Sequence, residues 1–321
     1  MRQGSWSVVS TVRAPDALVA RFVEHHLALG AERIDLYFDD PDQVWCPPDE
    51  LAARVEIAVC SDAWWSRAGG RPELFERRQL HNAECARASA VSEWLLHIDV
   101  DEFVAGEGRV SEHLADADGA VYSFLLLPVE AVYEGEPDGL DGALSTPWFR
   151  RAGEGLPRTV LEQLYGGSAD LPRAGLLGHL GGKSFIRTAF APGLAAIHRP
   201  SPPDPRMRCG PPLPGFDLLH FHALHFADWL EKWERRAAGR IRIKGQQAMR
   251  LARVFRRAQR DGGLDAVRRL YREWHVLDTA TLRFAHAGGH VVRRDPLCSS
   301  RTEARRRSRA GAPRLGANEL P

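Results

Sequence analysis

Lysine is almost missing from this chain of 321 residues: Lys183, Lys232 and Lys244 are the only ones, and every other basic residue is arginine. Lys183 and Lys232 fall inside motif-like segments, which marks them for attention. Cysteine is also scarce. Cys46, Cys60, Cys85, Cys209 and Cys298 are odd in number, widely spaced and contain no C-x-x-C pair. That spacing excludes a zinc ribbon and a disulfide framework and favours reduced thiols in a cytoplasmic setting. No run approaches the ~18–20 apolar residues of a membrane span. The start, Met1-Arg2-Gln3-Gly4-Ser5-Trp6, lacks the apolar stretch of a secretory signal. Strong net charge is lacking too. The overall +1 hides an asymmetry, however: from Ser299 onward six arginines face Glu303 and Glu319, a net +4 that leaves −3 for the rest. The body gives no reason to expect a nucleic-acid partner. The basic tail is expected to be disordered, with peripheral contact to an anionic membrane as its functional alternative.

What is present reads as an α/β protein. Strand patterns at 6–12, 34–38, 55–59 and 94–99 alternate with helix patterns at 15–29 and 72–90. That alternation predicts a mostly parallel central sheet flanked by helices. Residues 120–129 form an apolar strand pattern, and residues 134–181 read as long loops. Order is expected again at 181–187 and 195–200. The Pro-rich stretch 200–215 is expected to be loop, followed by a strand at 216–222 and an amphipathic helix at 225–238. Further helix patterns near 246–259 and 264–274 suggest a C-terminal helical extension. The expected division is a main domain over 1–240, the extension over 241–298 and the tail over 299–321.

The stretch Trp94-Leu95-Leu96-His97-Ile98-Asp99-Val100-Asp101-Glu102-Phe103 carries the most information. Read as a strand ending in an acidic edge, its period of 2 puts Asp99 and Asp101 on one side. Two carboxylates at a strand's C-terminal end suit a hard cation such as Mn²⁺ or Mg²⁺ carrying a phosphate. Asp39, after the second strand, suits a ribose hydroxyl or a base N–H; turn chemistry is the plainer account of Asp39-Asp40-Pro41-Asp42. His220 and His222 alternate on a strand, and His220 is the stronger candidate to complete a metal or phosphate site, with His198 as a competitor. Lys183, Arg187 and Lys232 are candidate phosphate partners, although a solvated helix face accounts equally for Lys232.

With these residues in view, the chain resembles the bacterial glycosyltransferase family 2-like proteins of the GT-A fold. The resemblance rests on Glu24-His25-His26 before Gly30, on Asp39, and on the Asp99-Val100-Asp101-Glu102-Phe103 motif. Gly182-Lys183-Ser184-Phe185-Ile186-Arg187, Ile197-His198-Arg199-Pro200, Leu219-His220-Phe221-His222 and Trp229-Leu230-Glu231-Lys232-Trp233 extend it over roughly residues 6–240. It implies that Asp99 and Asp101 bind the metal of a nucleotide-diphospho-sugar, that Asp39 meets the nucleoside, and that His220 meets the metal or diphosphate. Such proteins often carry an acidic residue after the first strand, where this chain has Ala14-Pro15.

The reading that follows is a metal-dependent, inverting glycosyltransferase with a hydroxyl-bearing sugar, lipid or protein acceptor, cytoplasmic or peripheral at the membrane. Inversion needs a general base; Glu130 and Glu162 are candidates without a supporting motif. The rivals are a metal-dependent phosphohydrolase or phosphotransferase, and a non-catalytic nucleotide-sugar-binding module.

Overall fold

The computed structural model describes residues 2–190, 198, 201–238 and 245–295. The expected segment 195–200 (apart from His198), Lys244 and the basic tail lie outside the described residues.

The N-terminal half is parallel, as its strand–helix alternation requires. Strands β1 (Trp6–Val12), β2 (Ile34–Phe38), β3 (Val55–Val59) and β4 (Trp94–His97) lie in the order β3-β2-β1-β4, each pair parallel. All of β1, β2 and β4 is buried, the pattern of strands covered on both faces. Helix α1 (Asp16–Ala28) buries Leu18, Val19, Phe22, Val23 and Leu27, and Gly30 leaves it at φ 108°, a conformation that favours glycine. A short α2 (Asp49–Ala52) and an unanticipated α3 (Asp62–Arg67) precede α4 (Phe75–Ala88), which begins three residues after the proline expected to open it.

The second half corrects the expectation of a mostly parallel sheet. Its elements are β5 (Glu102–Gly106), α5 (Val110–Ala115), β6 (Val121–Val132), α6 (Leu140–Leu144), β7 (Trp148–Arg151), α7 (Arg158–Tyr165), β8 (Lys183–Arg187) and β9 (Arg208–His220). After them come α8 (Phe226–Ala237), α9 (Gln246–His275), α10 (Thr279–Ala287) and β10 (Val291–Arg293). The sheet runs β10-β7-β6-β8-β4-β1-β2-β3, and β9 pairs with both β5 and β6. Strand β8 enters antiparallel to both β4 and β6, and β5–β9, β6–β7 and β7–β10 are antiparallel as well. The sheet is therefore mixed. The region read as loops over 134–181 holds α6, β7 and α7. The stretch 200–215, read as loop, enters β9 at Arg208. Its prolines remove ladder donors, and the β6–β9 register shifts there before it becomes regular from Leu127/Asp217 onward.

Three buried clusters result among the described residues. One lies around β1, β2, β4, α1, β5 and β6. A second packs Trp65 of α3 and Ala83 and Ala86 of α4 against Val9, Tyr37, Leu95 and Ile186 of the sheet. The third is an aromatic cluster of Trp229, Trp233, Phe255, Tyr271 and Trp274 between α8 and α9. The two helix patterns near 246 and 264 are one element, α9, interrupted at Gly263 (φ 59°). The C-terminal segment also joins the sheet, because β10 pairs with β7.

Candidate functional site

The acidic motif is a turn, not a strand end. Strand β4 stops at His97 and β5 starts at Glu102; the Glu102 N–H donates to the Asp99 carbonyl at 2.9 Å. The turn is closed a second time by the Asp99 N–H, which donates to Glu102 Oε2 at 2.8 Å. The strand beyond it is tied to α1 by the two adjacent histidines. His25 Nε2 lies 2.7 Å from the Val104 carbonyl, and the Val104 N–H donates to His26 Nε2 at 3.4 Å. The His26 ring stacks on Phe103. This histidine pair thus holds the strand that carries Glu102.

Lys183 Nζ lies 2.8 Å from Asp99 Oδ2 and 3.1 Å from Glu102 Oε2, and its side chain is wholly buried. Gln79, from α4, donates to the other Asp99 oxygen. His179 Nε2 lies 3.1 Å from Glu102 Oε1. Asp101 is less engaged: Lys232 Nζ approaches its Oδ2 at 3.6 Å. Lys232 also donates to the His222 carbonyl at 3.4 Å, which fixes α8 over the turn.

Strand register explains the second half of the site. In the β5–β9 ladder Glu102 opposes His220; in the β6–β9 ladder Glu130 opposes His220; in the β6–β7 ladder Glu130 opposes Arg150. Directly opposed residues share a face, so Glu102, His220, Glu130 and Arg150 form one row across four strands. Glu130 is fully buried. Its carboxylate accepts the N–H groups of Leu177 (2.8 Å) and Gly178 (2.5 Å). The imidazoles continue as a file: the rings of His198 and His179 are 4.5 Å apart, His179 and His220 5.1 Å, His220 and His222 5.2 Å, and His222 and His275 5.0 Å.

Electrostatics separate the two aspartates of the turn. Burial alone would raise the Asp99 carboxyl, but Lys183 and then His97 outweigh it and hold it well below the usual range. At Asp101 burial wins over the opposing charge of Lys232, and the carboxyl is raised. Burial likewise raises Glu130 against its two N–H donors. Burial is also the first cause that holds His220 and His222 well below the ordinary imidazole value, so both are neutral at pH 7. Burial lowers Arg236, on α8, and Asp101 opposes that effect.

Other expected residues are placed differently. Asp39 is buried with its carboxylate between two arginines: Arg78 donates to both oxygens at 2.8 and 3.2 Å, and Arg71 lies 2.9 Å away. The structure does not bring Arg187 to the turn. It pairs with Trp94 at the start of β4, the opposite end of the strand, where its guanidinium caps the Trp94 ring, pairs with Glu93 and donates to the Val121 carbonyl. Glu162 sits half-exposed on α7 in an ion pair with Arg158. Gln79, His179, Arg71 and Arg78 escaped the sequence reading, and Glu102 was read as part of the motif without a role of its own. Their roles depend on which elements become neighbours in space.

Asp99, Asp101 and His220 do not form one preformed three-donor centre. Among the described residues, the groups with donor atoms all within 4.8 Å of one another are Glu102/His179/His220 and Glu130/His220/His222. Each Asp99 oxygen already has a partner, Lys183 on one and Gln79 on the other, and Lys232 approaches Asp101.

No family model matches the chain, and no curated protein matches it. Among solved structures it is similar to S. aureus TarS 1-349, with a TM-score of 0.27 and 14% identity over 58% of this chain and 47% of that one. It is also similar to the mannosyltransferase Ktr4p from S. cerevisiae, with a TM-score of 0.22 and 11% identity over 41% of this chain and 40% of that one. The chain thus spans less than half the length of either. Likeness this weak leaves function to the site's own geometry. No helix among the described residues is long and apolar enough to cross a membrane.

Proposed function

We propose that the protein is a glycosyltransferase of GT-A type that moves a sugar, with inversion, from a nucleotide-diphospho-sugar to a hydroxyl of a sugar, lipid or protein. The observation that carries this reading is the Asp99–Asp101 turn. It follows β4 at the C-terminal edge of the parallel strands, where open α/β sheets bind ligands, and it is flanked by Lys183 and Lys232.

In this reading Lys232 and Arg236 face the donor diphosphate and offset its charge. Lys183 keeps Asp99 ionised and the turn rigid. Asp39, with Arg71 and Arg78 fixed around it, forms the nucleoside end. Asp99 and Asp101 would hold Mn²⁺ or Mg²⁺, which would supply Lewis-acid stabilisation of the leaving phosphate. Glu130 is buried against backbone donors and Glu162 is paired with Arg158 on α7, so the acceptor base is assigned to neither. The work site is cytoplasmic, and the Arg-rich tail is the part proposed to meet a membrane surface.

The test is calorimetric titration with UDP and with GDP, with and without Mn²⁺, on the wild type and Asp101→Asn. Metal-dependent binding that disappears in the variant is expected. Failure of both nucleotides under all metal conditions would overturn the reading in favour of a phosphohydrolase or a non-catalytic module.

A further inference from the structure

We propose that Glu130, His220 and His222 bind a divalent transition-metal ion of the Zn²⁺ or Co²⁺ class, at a site separate from the Asp99–Asp101 turn. This inference does not rest on the transferase reading.

The ligand atoms of the three residues converge within 4.8 Å. Two imidazoles and a carboxylate are a donor set that suits borderline metals better than Mg²⁺. The coordination capacity is also open. His220 is 8% exposed, and its Nδ1 is buried without a hydrogen-bond partner. Both ring nitrogens of His222 are buried and unpartnered as well. Buried polar atoms are nearly always partnered, so three such atoms beside one carboxylate call for a ligand. Each Glu130 oxygen accepts one backbone N–H and keeps a second lone pair.

The carboxylate of the competing group Glu102/His179/His220 is already engaged, although His179 Nδ1 is buried without a partner too. The Glu102 carboxylate is shared between His179, Lys183 and the Asp99 N–H. Arg150, although opposite Glu130 in register, does not claim it. Its guanidinium lies over the Tyr165 ring and donates to the carbonyls of Trp274 and Leu164. Glycine at 178 preserves the site, because a Cβ there would stand 2.6 Å from Glu130 Oε1 and 3.4 Å from His220 Nδ1.

The experiment is a Co²⁺ titration of the chelator-treated full chain without nucleotide, followed by visible ligand-field absorption and calorimetry, with Zn²⁺ as competitor. One ion per chain is expected, with bands that Zn²⁺ erases. His222→Ala and Glu130→Gln are expected to weaken binding by more than the roughly 10–100-fold that loss of an outer hydrogen-bond partner costs. Asp101→Asn is expected to leave the spectrum unchanged. Glu130 is buried, so its variant risks the fold; His222 is partly exposed and carries the test in that event. No Co²⁺ uptake by the wild type would overturn the proposal. So would a wild-type spectrum in His222→Ala, or its loss in His179→Ala while His222→Ala retains it. Metal binding here with no nucleotide binding would leave this site standing and remove the transferase reading.

Discussion

The acidic turn and the histidine wall meet at His220, yet they solve the burial of carboxylates in opposite ways. In the turn, Asp99 and Glu102 are matched by a full positive charge, the buried Lys183 ammonium. In the wall, Glu130 is matched by two backbone N–H groups and by neutral imidazoles. A charge met by a charge is fixed as an anion; a charge met by dipoles keeps room for a proton or a cation. The turn is therefore built as a rigid anionic platform, and the wall as a receptive pocket.

The largest effect is expected from Lys183→Met, which leaves two carboxylates without their cation. Removing one partner of a buried ion pair costs about 3–5 kcal/mol. Chemical denaturation should show that loss, and adding Glu102→Gln to the variant should recover part of it. Recovery in the double variant identifies repulsion in the turn as the cause. Next in size is Arg187→Ala, which tests the boundary of both regions. Hydrogen bonds to charged groups are worth about 1.5–3 kcal/mol, so the melting temperature should fall. Nucleotide affinity measured by calorimetry should not change, because this guanidinium works at the opposite end of β4.

The two regions also differ in how much of them could be read from the sequence. The turn lies in one contiguous motif, and parallel strands β1 to β4 alternate with helices in sequence order. Both are local signals. Asp99 and Asp101 were legible for that reason, though as a strand end; the i to i+3 bond between Asp99 and Glu102 that makes them a turn leaves no periodic trace. The wall is non-local. Glu130, Arg150 and His220 come from three strands, and only the ladder register aligns them. The strand that carries His220 is legible at 216–222, but its start at Arg208 is not, because prolines suppress the strand pattern over 200–215. Arg187 was misplaced by the same logic. It alternates with Lys183 on one strand, but the strand's length carries it to the far edge of the sheet.

Gly178→Ala perturbs the wall without touching the turn. The added methyl would press on Glu130 Oε1 and the His220 ring. Forcing an extra carbon into a packed site costs about 1–3 kcal/mol. Thermal melting should register it, while the lowered Asp99 carboxyl, followed by NMR, should keep its value. An equal shift at Asp99 would mean that the two regions form one electrostatic unit.

The smallest effect on stability belongs to Asp101→Asn, the change with the greatest expected effect on binding. The Asp101 carboxyl is raised in the folded chain, so the folded state holds its proton more tightly than the unfolded state does. Ionisation of Asp101 therefore opposes folding above that raised value, and the opposition vanishes as pH falls below the unfolded value. Asparagine removes it. The variant should be equal to the wild type in acid and slightly more stable at neutral pH, within about 0.5 kcal/mol as is usual away from core and cap positions. Unfolding curves of the two proteins between acid and neutral pH check this directly. A variant that instead loses stability as pH rises would show that Lys232 outweighs burial at this carboxylate, making Asp101 a second member of the fixed platform.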